Sequence, residues 1–170
     1  MRKIYFLRTA LWFMLYFLII GGIGLLIATP FIVTSSDWDI PLRINGILNP
    51  SFDTVYSKIG LIVAVLSYFL FVYAIYLFKK TVDLFIKGKI FDNQVISNLN
   101  KIGKIFIIVT LISNGLEFIL NLTTERKIEI VISSGFDSFL FTIAIGLFFI
   151  IMSEVFKIAK NLKDENELTI

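Results

Sequence analysis

Long apolar runs, separated by clusters of charge, set the layout of this chain. Between Arg8 and Asp37 there is no charged residue, and Thr9 to Thr29 fills one run before Pro30. Ile59 to Phe78 is a second charge-free run, closed by Lys79 and Lys80. Ile105 to Leu122 is a third, broken by Glu117 alone; Phe136 to Met152 is the core of a fourth, with Asp137 near its start and Glu154 just past its end. About 20 apolar helical residues cross a hydrocarbon core of about 30 Å. The pattern therefore predicts an all-α membrane protein, a four-transmembrane-helix bundle in one domain. Its expected spans are about 9–29, 59–78, 105–122 and 135–153, with a helical hairpin turn over 79–104 and a tail over 155–170.

Between the spans the period changes. Asp39 to Asn45 alternates apolar and other residues, and so does Lys127 to Ile132, which is a strand period. These segments are expected to pair as a small β-ribbon (about 39–45 with 127–132), with Pro41 keeping its strand at an edge. In the 79–104 turn, helix 2 is expected to run to Lys87 and stop at Gly88, a natural residue after a helix end. Asp92 is placed to cap helix 3. Early in helix 3, Val95, Leu99 and Ile102 fall on one face, which reads either as a lipid-contacting interfacial stretch or as a docking surface. Helix 4 is expected to start near Ser134 and to continue to about Leu162.

Charge fixes an expected orientation. Of the 16 Lys and Arg residues, three lie before the first span, six in 79–104 and three after Glu154, against two each in the loops 37–58 and 123–129. The positive-inside rule then puts both termini and the 79–104 turn in the cytoplasm. Arg2, Lys3 and Arg8 resemble the start of a signal peptide, but the apolar run is long and no small-residue cleavage site closes it, so an uncleaved helix is expected. With 57% hydrophobic and 17% charged residues, a soluble domain of 170 residues has too little interior for its apolar surface. The chain has no Cys and no His. Disulfides, thiolate chemistry and the commonest general base are therefore ruled out.

Within the spans, polar residues are few. Asn114, Glu117 and Asn121 share one face of helix 3 at i, i+3 and i+7. An ionisable group in a span faces the bundle interior as a rule. This stripe reads either as a site for a cation, proton or small polar ligand, or as interhelical hydrogen bonding. Ser134 and Asp137 have the spacing of a capping box. Gly60, Ala64 and Ser67 on helix 2, and Ser138, Thr142 and Gly146 on helix 4, form small-residue stripes that let helices approach; Gly21, Gly22 and Gly24 either do the same for helix 1 or loosen it. No nucleotide loop, metal-ligand spacing or nucleophile–base pair occurs, so neither enzyme activity nor a cofactor is expected.

Two stretches carry a resemblance. The turn reads Phe85, Ile86, Lys87, Gly88, Lys89, Ile90, Phe91, followed by Asn98, Leu99, Asn100, Lys101, Ile102, Gly103. The end reads Leu162, Lys163, Asp164, Glu165, Asn166, Glu167, Leu168, Thr169, Ile170. A Gly-x-x-Phe turn leading to an Ile-Gly pair, with an acidic terminus ending in Leu-Thr-Ile, resembles a bacterial family of small four-helix integral membrane proteins. That family is classed among the domains of unknown function, the DUF series. Lys157 departs from its pattern, which has an Arg-Gly-like pair near that point. The resemblance implies a gene neighbour of the XRE type, a small helix-turn-helix regulator. It points to Gly88, Phe91, Glu167, Leu168, Thr169 and Ile170 as partner contacts, with no direct binding of nucleic acid by this chain. Three functions remain open at this point: a membrane regulator of that transcription factor in the bacterial inner membrane; an ion- or proton-linked carrier built around Glu117; and an immunity or envelope-stabilising protein without a ligand.

Overall fold

The computed structural model describes residues 2–34, 43–44, 47–48, 55–120 and 139–168. Its helices are α1 (Arg2–Thr34), α2 (Val55–Ile86), α3 (Asn93–Leu120) and α4 (Phe139–Leu168), with two short strands, β1 (Arg43–Ile44) and β2 (Ile47–Leu48), between α1 and α2. All four helices are long and apolar enough to cross a membrane. Successive helices pack on one another, α1 on α2, α2 on α3 and α3 on α4. Arg8, near the start of α1, pairs with Asp83, near the end of α2, and Lys160, late in α4, donates to Asn93 at the start of α3. Arg2 and Leu168 therefore lie at the same end of the bundle as the α2–α3 turn.

Side chains on α2, α3 and α4 knit the centre through a ladder of phenylalanines. Phe71, Phe78 and Phe85 recur every seven residues on α2, the repeat of helices that wind about one another. Phe71 meets Phe106 of α3 edge-on, Phe106 stacks on Phe149 of α4, and Phe78 meets Phe149 in an edge-to-face contact with ring centres 5.7 Å apart. Phe85 stacks on Phe156 one step further. Against α2, α1 buries Leu11 and Leu15. Tyr68 of α2 reaches across and donates to the Leu18 carbonyl at 2.7 Å, and its ring lies where Gly21 and Gly22 present no side chain. Much of the rest of α1 is exposed, as lipid contact allows.

The closest approach is between α3 and α4. A Cβ at Gly103 would come within 2.6 Å of Ile150 Cγ1, and one at Gly146 within 2.9 Å of the Gly103 carbonyl oxygen. Two glycines facing each other bring the backbones together, the contact that small residues supply where lipid rather than water surrounds the helices. Of the expected stripe, Gly146 acts as a close-approach residue, and Ser138 lies outside the described residues. On α2, Gly60, Ala64 and Ser67 border grooves beside α3.

Several boundaries also differ from expectation. The first helix runs through Pro30 to Thr34 instead of ending before the proline. A proline removes one backbone donor, here the one that would reach the Leu26 carbonyl, and only a few residues of helix follow it; the Thr29 and Thr34 hydroxyls donate to the nearby carbonyls of Leu25 and Pro30. α4 extends to Leu168, six residues past the expected end, with Lys163 and Glu167 paired one turn apart at 3.5 Å. Arg43 and Ile44 pair locally with Leu48 and Ile47. Residues 127–132, the expected partner strand, and the Ser134–Asp137 box lie outside the described residues.

Candidate functional site at the turn end of the bundle

The α2–α3 turn is built by its own sequence. Gly88 has φ +72°, a conformation that costs glycine nothing. Its N–H donates to the Phe85 carbonyl, and the Lys89 N–H to that of Leu84. These two bonds form the Schellman closure, which satisfies carbonyls left open at a helix end. Asp92 Oδ1 accepts from the Gln94 N–H at 2.8 Å and caps α3. Four residues thus separate the closing bond at Gly88 from the first helical residue of α3, too few for the turn to wander.

Beneath the turn is the best-packed part of the protein. Val95 is 0% exposed, Ile102 1% and Leu99 5%. The expectation that this face meets lipid or a docking partner is therefore corrected: α2 and α4 extend alongside α3 and cover it with Leu84, Phe85, Met152 and Phe156. Where water is the alternative, each such burial is worth about 1.5–3 kcal/mol. Ser153, also buried, donates across to the Ile96 carbonyl at 2.8 Å. The Nδ2 of Asn98 is buried, with no hydrogen-bond partner among the described residues. The Ile102–Gly103 pair of the sequence motif now has a packing role, with Ile102 in the core and Gly103 at the α4 crossing.

The surface above this core is basic and partly apolar. Lys87, Gly88, Lys89 and Ile90 are exposed. Phe91 is 37% exposed, its inner edge resting on Phe156 at 6.2 Å between ring centres. Asp83 holds Arg8 at 2.9 Å and Lys79 at 2.7 Å, tying α1 to α2 at this level. Glu167 is exposed on α4, paired with Lys163. By helical rise it stands about 10 Å beyond Lys160, whose partner Asn93 follows the turn. Gly88, Phe91 and Glu167 thus share one end of the protein without touching. Leu168 closes α4, and Thr169 and Ile170 lie outside the described residues.

Of the expected intramembrane stripe, Asn114 is the member whose side chain is described. Asn114 is exposed, and its amide donates to the Thr110 carbonyl of its own helix at 2.8 Å rather than to another helix. Glu117 is on α3, its side chain outside the described portion, as is Asn121 altogether. Polar groups do meet one turn away: Ser67 and Tyr68 of α2 and Ser113 of α3 border a groove of about 210 Å³. A second groove of about 340 Å³, nearly all apolar, lies beside Gly60 and Gly115. Ser113 is flanked by Ile112 and Asn114, and only its pairing with the α2 small-residue stripe gives it away. Among the described residues, no three Asp or Glu side chains gather as a metal site would require.

Comparison with known sequences follows the same outline. The profile of DUF2975, a protein family of unknown function, matches residues 9–170, so the chain belongs to that family. No curated protein and no solved structure matches it.

Proposed function

We propose that this DUF2975 protein is a multi-pass protein of the bacterial cytoplasmic membrane whose turn end binds a small soluble protein and catalyses nothing. Both termini and the α2–α3 turn face the cytoplasm, an orientation supported by the 12 of 16 basic residues that lie on that side. The partner is a DNA-binding regulator of the helix-turn-helix type, as the resemblance implies, held at or released from the membrane. One observation carries this reading: the motif-bearing turn is rigidly capped, set on the most buried core of the molecule, and presents Lys87, Lys89, Ile90 and Phe91 outward beside the projecting end of α4. A docking platform needs that combination of fixed backbone and unspent apolar surface.

The test is in-cell crosslinking of the tagged full-length protein, mild solubilisation and identification of what co-purifies. A small DNA-binding protein captured by the full chain, and lost when the chain is truncated after Leu162, is the expected result. If both forms come down alone, the regulatory reading fails. Orientation is tested separately in the cysteine-free chain: a single Lys89→Cys is expected to resist an impermeant maleimide in intact cells and to react once they are opened.

A second reading, a carrier built around Glu117, draws on the groove at Ser67, Tyr68 and Ser113, one turn from that residue. It requires that Glu117→Gln abolish transport while the protein still folds, and a groove that admits no water-soluble probe to a cysteine at Ser113 counts against it.

A further inference from the structure

α4 carries an exposed apolar seam that lipid cannot fully cover. Phe148, Ile151, Val155, Ile158 and Leu162 are 56%, 61%, 50%, 58% and 55% exposed. With the exposed Ala144 before them, they are spaced alternately four and three residues apart. That is the a/d spacing of helices that pair along their length. The seam lies opposite the face on which Gly146 and Ser153 meet α3.

Lipid accounts for its first part only. Phe149 is level with Phe78, and Lys79 and Lys80 close the α2 span there, while Glu154 is the first charge on α4 beyond it. Leu162 is eight residues past Glu154, about 12 Å along the axis. The polar interface beyond the hydrocarbon is only about 5–8 Å deep on each side. With the boundary set at those first charges, Leu162 falls beyond the lipid, among Lys160, Asn161, Lys163 and Asp164, and it is more than half exposed.

We propose that this seam packs against the α4 of a second copy of the same chain, in parallel. Three features favour a second copy over a soluble protein. The seam keeps one register from the membrane out into water, and only another membrane-spanning helix can follow it through both. Two copies inserted in the same sense present α4 in the same direction, so a two-fold axis along the membrane normal aligns the seams without further adjustment. The charges are placed to allow it: Lys157, Lys160 and Lys163 all fall off the seam, with Lys160 turned to Asn93 of α3, while Ala159 and Asn161 flank it. Glu165 takes the next seam position and ends the apolar run. The inference does not rest on the proposed turn-end partner: the seam positions from Phe148 to Leu162 precede the α4 residues assigned to that contact.

The cysteine-free chain permits a direct test. Single cysteines at Ile158 and Leu162, and off the seam at Lys157 and Lys163, are oxidised in native membranes from the full-length protein. Seam cysteines are expected to give roughly tenfold more disulfide-linked dimer than the controls, since a disulfide needs Cα atoms within about 7 Å. Equal linking at all four positions, no linking at any, or adducts with a different protein would overturn the proposal. As a second measurement, Leu162→Lys, at an exposed position, is expected to halve the particle mass in mild detergent with helicity unchanged. A dimer that persists in Leu162→Lys also overturns it.

Discussion

The half of the bundle next to the α2–α3 turn and the half beyond the Gly103–Gly146 crossing use similar residues and pack differently. Toward the turn, Thr81, Val95, Ile102 and Ser153 are almost wholly enclosed, and Leu84, Leu99 and Phe156 close around them. Beyond the crossing, Leu111, Ile112, Phe118 and Ile119 of α3 are exposed, and two grooves separate parts of α2 from α3. A change of solvent accounts for the difference. In hydrocarbon an exposed leucine costs nothing, so close packing occurs where small residues or hydrogen bonds bring it about. Where the helices emerge toward water, apolar side chains must cover one another, and α2, α3 and α4 all extend far enough to do so. The tightly packed end is therefore the one that adjoins the charged turn, and it also carries the family-like motifs.

The strongest way to break this comparison is to disturb the crossing that divides the halves. Gly103→Ala places a methyl group against Gly146 and Ile150, with no flexible neighbour to yield on the backbone side. Overpacking of this kind costs about 3 kcal/mol, and the helix propensity gained by replacing glycine returns about 1 kcal/mol. A net loss of about 2 kcal/mol is expected in reversible unfolding from mixed micelles. An unchanged midpoint would mean that the halves are not joined by a tight contact at all.

A smaller effect tests the solvent argument at the boundary. Asp83 joins Arg8 and Lys79, and the pair with Arg8 is half-exposed on the arginine side. Removing the charge with Asp83→Asn is expected to cost about 1 kcal/mol, the usual scale for a partly exposed network. Salt screens such pairs in water and much less in a buried setting. The loss should therefore shrink as ionic strength rises. A salt-independent loss would place this level inside the low-dielectric region and shift the boundary toward the turn.

How much of this was legible beforehand follows the same division. The spans, the Gly88 closure and the Asp92 cap are local events, written in charge-free length, in a residue that tolerates positive φ and in a carboxylate one residue ahead of a helix. The Gly146 crossing was visible as a stripe of small residues. What the sequence hid was pairing. Val95, Leu99 and Ile102 look like an amphipathic surface because periodicity says which residues share a face and never what covers it; the cover came from extensions of α2 and α4. Ser113, which borders a groove, was inconspicuous because its partners are on α2. The α4 seam is hidden for a related reason: in an apolar helix, heptad spacing looks like lipid-facing residues until the exposure of each side chain is known.

The finest discrimination between the halves comes from a second glycine on the same helix. Gly115 lies three turns beyond Gly103, and a Cβ there would meet nothing within 4 Å. It sits beside the larger groove, where α2 contributes Ile59 and Gly60. With no clash to offset it, Gly115→Ala keeps the helix-propensity gain and is expected to stabilise the protein by up to about 1 kcal/mol. The measurement is the same micelle unfolding, run beside Gly103→Ala, so that one substitution in one helix changes sign with position. A destabilised Gly115→Ala would mean that the groove is filled in the membrane by something a methyl group displaces, such as an acyl chain or another helix. The far half would then be closed in the bilayer, and its contrast with the turn end would be one of partner rather than of packing.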